Sequence, residues 1–156
     1  MTTTSIRFCA RCSLPDAHRP TGVVMADIKE ILNTYRTVAV VGLSPDPGKP
    51  SHEVAAYLQR AGFRIIPVNP ACAEILGERC YPELSEIPGE VEIVDVFRRS
   101  EFVPEIMEQA IAKGAKVFWM QEGIVNEPAR RRGEEAGLDV VMDRCILKEH
   151  NRLSRG

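Results

Sequence analysis

VAVVGLSPDPGKPS, residues 38–51, indicates a β-strand, a tight loop and the start of a helix. Its first four residues are apolar and mostly β-branched, and the run stops at Gly42. The loop that follows is rich in Gly, Pro and Ser and ends at Pro50, a residue suited to the first helical turn because its missing N–H would be unpaired there anyway. Beyond it, apolar residues recur at helical spacing: Val54, Ala55, Leu58 and Ala61. The segment therefore predicts a strand–loop–helix unit.

The loop has the chemistry of an anion site. A helix N-terminus presents unpaired N–H groups and the positive end of the backbone dipole. Lys49 adds a mobile positive charge, and the hydroxyls of Ser44 and Ser51 can donate to phosphate oxygens. We therefore expect a phosphate-bearing small molecule at the end of strand one. The alternative is an ordinary turn that binds nothing, in which Gly42 only allows an unusual backbone conformation.

The loop matches neither of the standard nucleotide-binding signatures. In G-x-G-x-x-G the second glycine would stand where this chain has Ser44, and Pro50 separates Lys49 from Ser51, which breaks the P-loop pattern. An NAD site also expects an acidic residue at the end of strand two, where this chain has Asn69. These differences argue against NAD without excluding it.

Composition narrows the class of protein. The chain has 156 residues, 44% of them hydrophobic and 27% charged, with a formal net charge of −2. These values predict one globular domain that does not bind nucleic acid. No apolar run approaches the roughly 20 residues that span a bilayer, and no signal peptide is evident, so we expect a cytoplasmic protein with no membrane association. Five cysteines without a framework spacing predict free thiols. The oligomeric state stays open.

Strand and helix patterns alternate along the rest of the chain. The segment 71–88 is irregular and is expected to form a short helix or a hairpin. A short helix is expected at residues 28–32. A helix from Glu101 should stop at Gly114, and Asn126 should cap a helix that ends at Gly137. Further strands are predicted at 64–68, 91–96, 116–120 and 138–142. This order predicts an α/β fold: a doubly wound, mainly parallel, five-stranded sheet with helices on both faces.

Ligands of such sheets bind outside the carboxyl ends of the strands, where the strand order reverses. Arginines at this edge would suit phosphate groups because their planar fork can bond two oxygens. The tryptophan at the edge has two interpretations, stacking on a ligand or packing at the border of the core. The residues that this rule brings together are Gly42 to Ser51, Asn69-Pro70, Phe97-Arg98-Arg99 and Trp119 to Gly123.

Five motifs in order carry a resemblance to a known family. They are VAVVGLSPDPGKPSHEVAAYL, IIPVNP, EILGERCYPELSEIP, VDVFRR and VFWMQEGIVNEPARRRGEEAGLDVVMDRC. With them, residues from about Ile28 to Leu153 resemble the small single-domain CoA-binding proteins, a Rossmann-like family. The chain is also similar to the CoA-binding domain of the succinyl-CoA ligase α subunit.

The resemblance implies non-catalytic binding of coenzyme A, or of an acyl-CoA, at the carboxyl edge of a Rossmann-like sheet. The loop after strand one would take the pyrophosphate, the ends of strands two and three would line the adenosine and its phosphates, and the end of strand four would follow the rest of the ligand. The phosphohistidine of the ligase has no counterpart in a matching context here. The implied cofactor-binding residues are Gly42, Leu43, Ser44, Lys49, Pro50, Ser51, Asn69, Pro70, Phe97, Arg98, Trp119, Gln121 and Gly123.

Two other functions remain open at this point. One is an NAD(P)-dependent oxidoreductase, in which Arg98 or Arg99 would hold a 2′-phosphate. The other is a regulatory or partner-binding module that senses CoA, which would need the same site. In each case the expected partner is a small molecule.

The N-terminal segment and the cysteines pose separate questions. Residues 1–24 lack apolar periodicity and are expected to be a flexible extension, with the CoA-binding Rossmann-like domain at 25–156. The alternative for the extension is a zinc site from Cys9, Cys12 and His18, but a fourth ligand is not evident and we predict no metal. Cys145 is either a buried structural cysteine or a partner for the CoA thiol in a mixed disulfide.

Overall fold

A computed structural model describes residues 27–155. The strands are β1 (Thr37–Val41), β2 (Arg64–Val68), β3 (Glu74–Ile75), β4 (Glu78–Arg79), β5 (Ile93–Val96), β6 (Val117–Met120) and β7 (Asp139–Val141). The α-helices are α1 (Ile28–Thr34), α2 (Pro50–Arg60), α3 (Val103–Lys113), α4 (Glu127–Glu135) and α5 (Ile146–Arg155). Two 3₁₀ turns cover Leu84–Glu86 and Ser100–Phe102.

Five of the strands form one parallel sheet in the order β2-β1-β5-β6-β7. The chain moves outward from β1 to β2, then returns to the other side of β1 at β5 and continues to β7. The strand order therefore reverses between β1 and β5, and the loops that follow these two strands diverge there. This confirms the predicted doubly wound, Rossmann-like α/β fold.

The sheet is covered on both faces, which explains its nearly continuous apolar strands. Along β1, Val38 and Val40 point into a core shared with α1, α2 and α5, whereas Ala39 and Val41 point into a core shared with α3 and α4. All four side chains are buried. Alternation along each strand thus divides the interior into two hydrophobic layers.

Local signals place the helix ends as expected. The Asn126 side chain accepts a hydrogen bond from the Ala129 N–H and caps α4, and Gly114 ends α3 in the left-handed conformation at φ 80°. Pro50 is the first residue of α2. The helix expected from Glu101 begins as a 3₁₀ turn and becomes α-helical at Val103. Segment 71–88 contains the β3–β4 hairpin and a 3₁₀ turn.

The C-terminal helix α5 is an element that the sequence analysis does not predict. Its Ile146 is fully buried, and the Tyr57 hydroxyl on α2 hydrogen-bonds Nδ1 of His150 at 2.9 Å. Burial lowers the pKa of His150, and the charge of Arg36 lowers it further. Through these contacts α5 covers the face of the sheet that α1 and α2 leave open.

Candidate ligand-binding site

A cavity of about 670 Å³ opens where the strand order reverses. It lies at the carboxyl ends of β5 and β6, beside the first turns of α2 and α5, as the sheet topology predicts. We refer to it as the switch-point cavity. Its walls are formed by Pro50, Val54, Phe97, Arg98, Arg99, Ser100, Gln121, Glu122, Gly123, Ile124 and Cys145.

The loop after β1 approaches the loop after β5 at Gly42. The Phe97 N–H donates to the Val41 carbonyl at 2.8 Å, which holds the two strand ends together. Gly42 has φ +88°, and a Cβ there would lie 2.9 Å from the Phe97 carbonyl oxygen and 3.0 Å from Cδ of Arg98. Both the backbone conformation and the close approach require glycine.

Hydrogen bonds within residues 42–51 give the predicted phosphate loop a fixed shape. The Ser44 N–H donates to Oγ of Ser51 at 3.0 Å, and Oγ of Ser44 accepts from the Asp46 N–H at 3.1 Å. Each hydroxyl keeps its own hydrogen for donation to another acceptor. Lys49 is the N-cap residue of α2 and its side chain makes no capping hydrogen bond. The N-terminus of α2 thus offers its dipole to an anion.

The structure gives Asn69 a role in shaping this loop. Its Nδ2 donates to the Leu43 carbonyl at 2.8 Å, and its Oδ1 accepts from the Ala71 N–H at 2.8 Å. Leu43 is fully buried and Pro70 is exposed. None of these residues lines the switch-point cavity. Asn69 therefore links the end of β2 to the loop after β1.

The two arginines after β5 lie on the cavity wall. Their guanidinium carbons lie over the Phe102 ring, at 4.6 Å from its centroid for Arg98 and 5.4 Å for Arg99. Stacking uses the flat face of a guanidinium and leaves its N–H edge available for oxygen acceptors. The two arginines therefore bring positive charge to the cavity wall, and Arg98 lies beside the loop after β1, since its Cδ is 3.0 Å from the position of a Gly42 Cβ.

An acid and an amide are buried together beneath the cavity. Asp95 on β5 is fully buried, and Nε2 of Gln121 donates to its Oδ1 at 2.5 Å. Burial raises the pKa of Asp95 to about 7, and the hydrogen bond from Gln121 acts in the opposite direction. Gln121 is only 3% exposed, yet it forms part of the cavity wall.

Trp119 does not stand where the sequence analysis expects a ligand contact. Its side chain is fully buried, and the indole Nε1 donates to the Arg144 carbonyl at 2.8 Å. The residue belongs to the core under α5 because strand alternation directs it beneath that helix. Trp119 was expected to lie along the ligand, and the structure places it in the core instead. Gly123 does reach the cavity, where its N–H donates to Oδ1 of Asp143 at 2.7 Å.

Of the predicted site residues, the cavity wall contains Pro50, Phe97, Arg98, Gln121 and Gly123. Gly42, Ser44, Lys49 and Ser51 belong to the adjacent loop instead. Arg99 and Glu122, which were expected at this sheet edge but not among the implied cofactor-binding residues, also line the cavity. Residues absent from both sets form the rest of the wall or its support: Val54, Asp95, Ser100, Ile124 and Cys145. The burial of Asp95 could not be predicted, because an acid within a predicted strand gives no local signal of its depth.

Cys145 lies on the cavity wall and is half-buried. Cys145 is therefore less deeply buried than expected for a structural cysteine, which was one of the two interpretations of this residue. His52 is partly exposed on α2 and does not line the cavity. The three residues of the zinc-site hypothesis, Cys9, Cys12 and His18, lie outside the described residues.

Two kinds of feature are absent from residues 27–155. Within that range no cluster of His, Cys, Asp and Glu side chains is arranged to hold a metal ion. No helix in the described part of the chain has both the length and the apolar character to cross a membrane.

The chain is similar to known proteins in both sequence and structure. The family model of the CoA binding domain matches residues 36–151. An uncharacterized protein of Bacillus subtilis strain 168 is 48% identical over 125 residues, which are 80% of this chain and 93% of that protein. A solved structure of a hypothetical protein from Pyrococcus horikoshii OT3 matches with a TM-score of 0.81 at 44% identity, covering 87% of this chain and 96% of that one.

A larger enzyme shares the same region. The alpha subunit of acetate–CoA ligase (ADP-forming) II from Pyrococcus furiosus is 35% identical over 132 residues. The match includes 76% of this chain but only 29% of the subunit. The similarity therefore concerns one part of that enzyme.

Proposed function

The chain belongs to the CoA-binding domain family, and from this membership we propose that it binds coenzyme A, or an acyl-CoA, at the switch-point cavity without catalysing a reaction. The observation that carries the proposal is the mixed chemistry of the cavity wall. The wall combines two arginines, Arg98 and Arg99, and the start of α2 with uncharged side chains such as Gln121 and Ile124.

This combination of groups suits the two halves of CoA. The nucleotide half carries a pyrophosphate and a 3′-phosphate, for which arginine forks and a helix N-terminus are suitable partners. The pantetheine half is a long, uncharged arm with amide groups and a thiol. A volume of about 670 Å³ lies within the usual range for small-molecule sites.

Binding, and not ligation, is the part of the ligase activity that the similarity supports. The matched region is under a third of the Pyrococcus furiosus subunit, so the reaction of the whole enzyme does not transfer with it. At the end of β2, Asn69 stands in place of the acid that would bind the NAD ribose, and both ends of its amide bond to backbone groups. These features favour CoA over NAD.

Native mass spectrometry of freshly purified full-length protein, followed by denaturation, identifies any ligand that is retained from the cell. Calorimetry with CoA, 3′-dephospho-CoA and NAD then ranks the ligands. We expect CoA to bind more tightly than NAD, and loss of the 3′-phosphate to weaken binding because the paired arginines lose a charged partner. Preference for NAD over CoA would assign the protein to the oxidoreductase class.

A further inference from the structure

Asp95 is buried in a way that calls for a functional explanation. It is fully buried on β5, and its register partners Val40 on β1 and Trp119 on β6 are fully buried as well. A carboxyl group in such surroundings is costly unless hydrogen bonds compensate for lost water. Among the described residues, Oδ2 of Asp95 is the one buried side-chain polar atom without a hydrogen-bond partner. An apolar residue would fit this strand position at lower cost.

The hydrogen bond of the Asp95 carboxyl group connects it to a residue of the switch-point cavity. Its Oδ1 accepts from Nε2 of Gln121 at 2.5 Å, and Gln121 forms part of the cavity wall. A glutamine amide has a donor end and an acceptor end on two branches of one planar group. Because the N–H₂ branch is directed at Asp95, the carbonyl branch is directed away from it.

We propose that Asp95 is a positioning residue, which fixes the Gln121 amide so that its carbonyl oxygen accepts a hydrogen bond from the uncharged arm of the bound ligand. The inference rests on the proposed function, because CoA supplies such an arm with amide N–H groups and a thiol. A glutamine held in one orientation selects a donor group on the ligand and loses less conformational freedom on binding. One that rotates freely would offer either end.

The arrangement works in both protonation states of the acid. A proton on Asp95 would reside on Oδ2, the oxygen without a partner, and would leave Oδ1 free to accept from Gln121. Burial raises the pKa of this carboxyl, while the donated hydrogen bond lowers it. The orientation of the amide is therefore kept as the carboxyl titrates.

Three single variants and one double variant separate positioning from a purely structural role. Asp95→Asn keeps an acceptor oxygen at the same place, whereas Asp95→Val removes it with a side chain that suits a buried strand. Gln121→Met removes the amide and keeps the length of the side chain. Calorimetry measures the affinity of each variant for CoA and for 3′,5′-ADP, which represents the nucleotide half alone.

We expect Asp95→Val and Gln121→Met each to weaken CoA binding about tenfold, the range of one lost hydrogen bond, and to leave 3′,5′-ADP binding unchanged. Asp95→Asn should bind CoA with nearly the affinity of the unmodified protein, because it keeps the acceptor oxygen. Adding Asp95→Val to Gln121→Met should cause no further loss, because the acid acts through the amide.

The proposal is overturned if Asp95→Val weakens both ligands equally, or if its effect adds in full to that of Gln121→Met. It is also overturned if Gln121→Met binds CoA as the unmodified protein does, a result that does not depend on whether Asp95→Val folds. If the unmodified protein binds neither CoA nor 3′,5′-ADP, the proposed function itself fails. The two failures are thus distinguishable.

Discussion

Gly42 lies directly against Phe97 where the two loops that flank the switch point meet, so that a Cβ at position 42 would lie 2.9 Å from the Phe97 carbonyl oxygen. The contact joins the loop after β1, where we propose that phosphate binds, to the arginine-bearing segment after β5. A side chain at position 42 would therefore disturb both parts of the site at once.

Gly42→Ala should destabilise the protein and weaken CoA binding. A left-handed conformation costs an L-residue about 1–2 kcal/mol, and crowding against Phe97 and Arg98 adds to this cost. Thermal melts and calorimetry measure the two effects. Gly62→Ala is the matched control, since Gly62 has φ +99° but no atom within 4 Å of its Cβ position. Equal effects of the two substitutions would show that the close approach is unimportant.

Lys49→Ala and Arg98→Ala should each weaken CoA binding and leave the melting temperature of the ligand-free protein nearly unchanged. A hydrogen bond to a charged group contributes about 1.5–3 kcal/mol, which corresponds to about a ten- to a hundredfold loss of affinity. Calorimetry against CoA gives the measurement. Arg131→Ala, an exposed substitution on α4, serves as a control that removes the same charge elsewhere. Unchanged affinity in both site variants would place the phosphates elsewhere.

Trp119→Phe should lower stability and leave CoA affinity nearly unchanged. The substitution removes the hydrogen bond from Nε1 to the Arg144 carbonyl and leaves space in a filled core. Together these losses should cost about 1–3 kcal/mol in the free energy of unfolding, measured with denaturant. A large loss of affinity with no loss of stability would instead identify the indole as a ligand contact.

Asp95→Asn should flatten the pH dependence of stability. In the folded protein the pKa of Asp95 is raised from 3.8 to about 7. Between these values the folded state holds a proton that the unfolded state has released, so this group lowers stability as pH rises toward 7. Over the full range between the two pKa values, the free energy of unfolding should fall by a quantity on the order of 4 kcal/mol.

Denaturant unfolding of both proteins at pH 5 and pH 8 tests this prediction. Asparagine does not titrate, so the variant should gain stability relative to the unmodified protein at the higher pH. Parallel pH profiles for the two proteins would contradict the assignment of this titration to Asp95.

Deletion of residues 1–24 should leave CoA affinity and thermal stability intact. The segment has no periodic apolar face of the kind that packs into a core. Elemental analysis of the intact protein and melts of both proteins provide the measurement. Stoichiometric zinc that disappears with the deletion, together with lower stability, would support the Cys9, Cys12 and His18 site instead.

Local patterns accounted for most elements and missed α5. The β-branched runs and the helix caps depend on neighbours in sequence, so Gly114 and Asn126 were placed correctly. The C-terminal helix had a weaker signal, the helical spacing of Ile146, His150 and Leu153. Its ordered position depends on contacts with distant residues, such as that between His150 and Tyr57, which no local pattern records.

The sequence by itself determined the alternation of strands and helices, and with it the sheet edge where the site forms. This follows because periodicity sets the element type and parallel strands bring their carboxyl ends to one edge. Only the tertiary structure decided which residues at that edge reach the cavity. Trp119 and Gln121 are two residues apart and share the parity of one strand face, yet the first is in the core beneath α5 and the second lines the cavity. The burial of a side chain depends on which distant elements pack over it, whereas spacing along the sequence fixes only the face of the sheet on which the side chain lies.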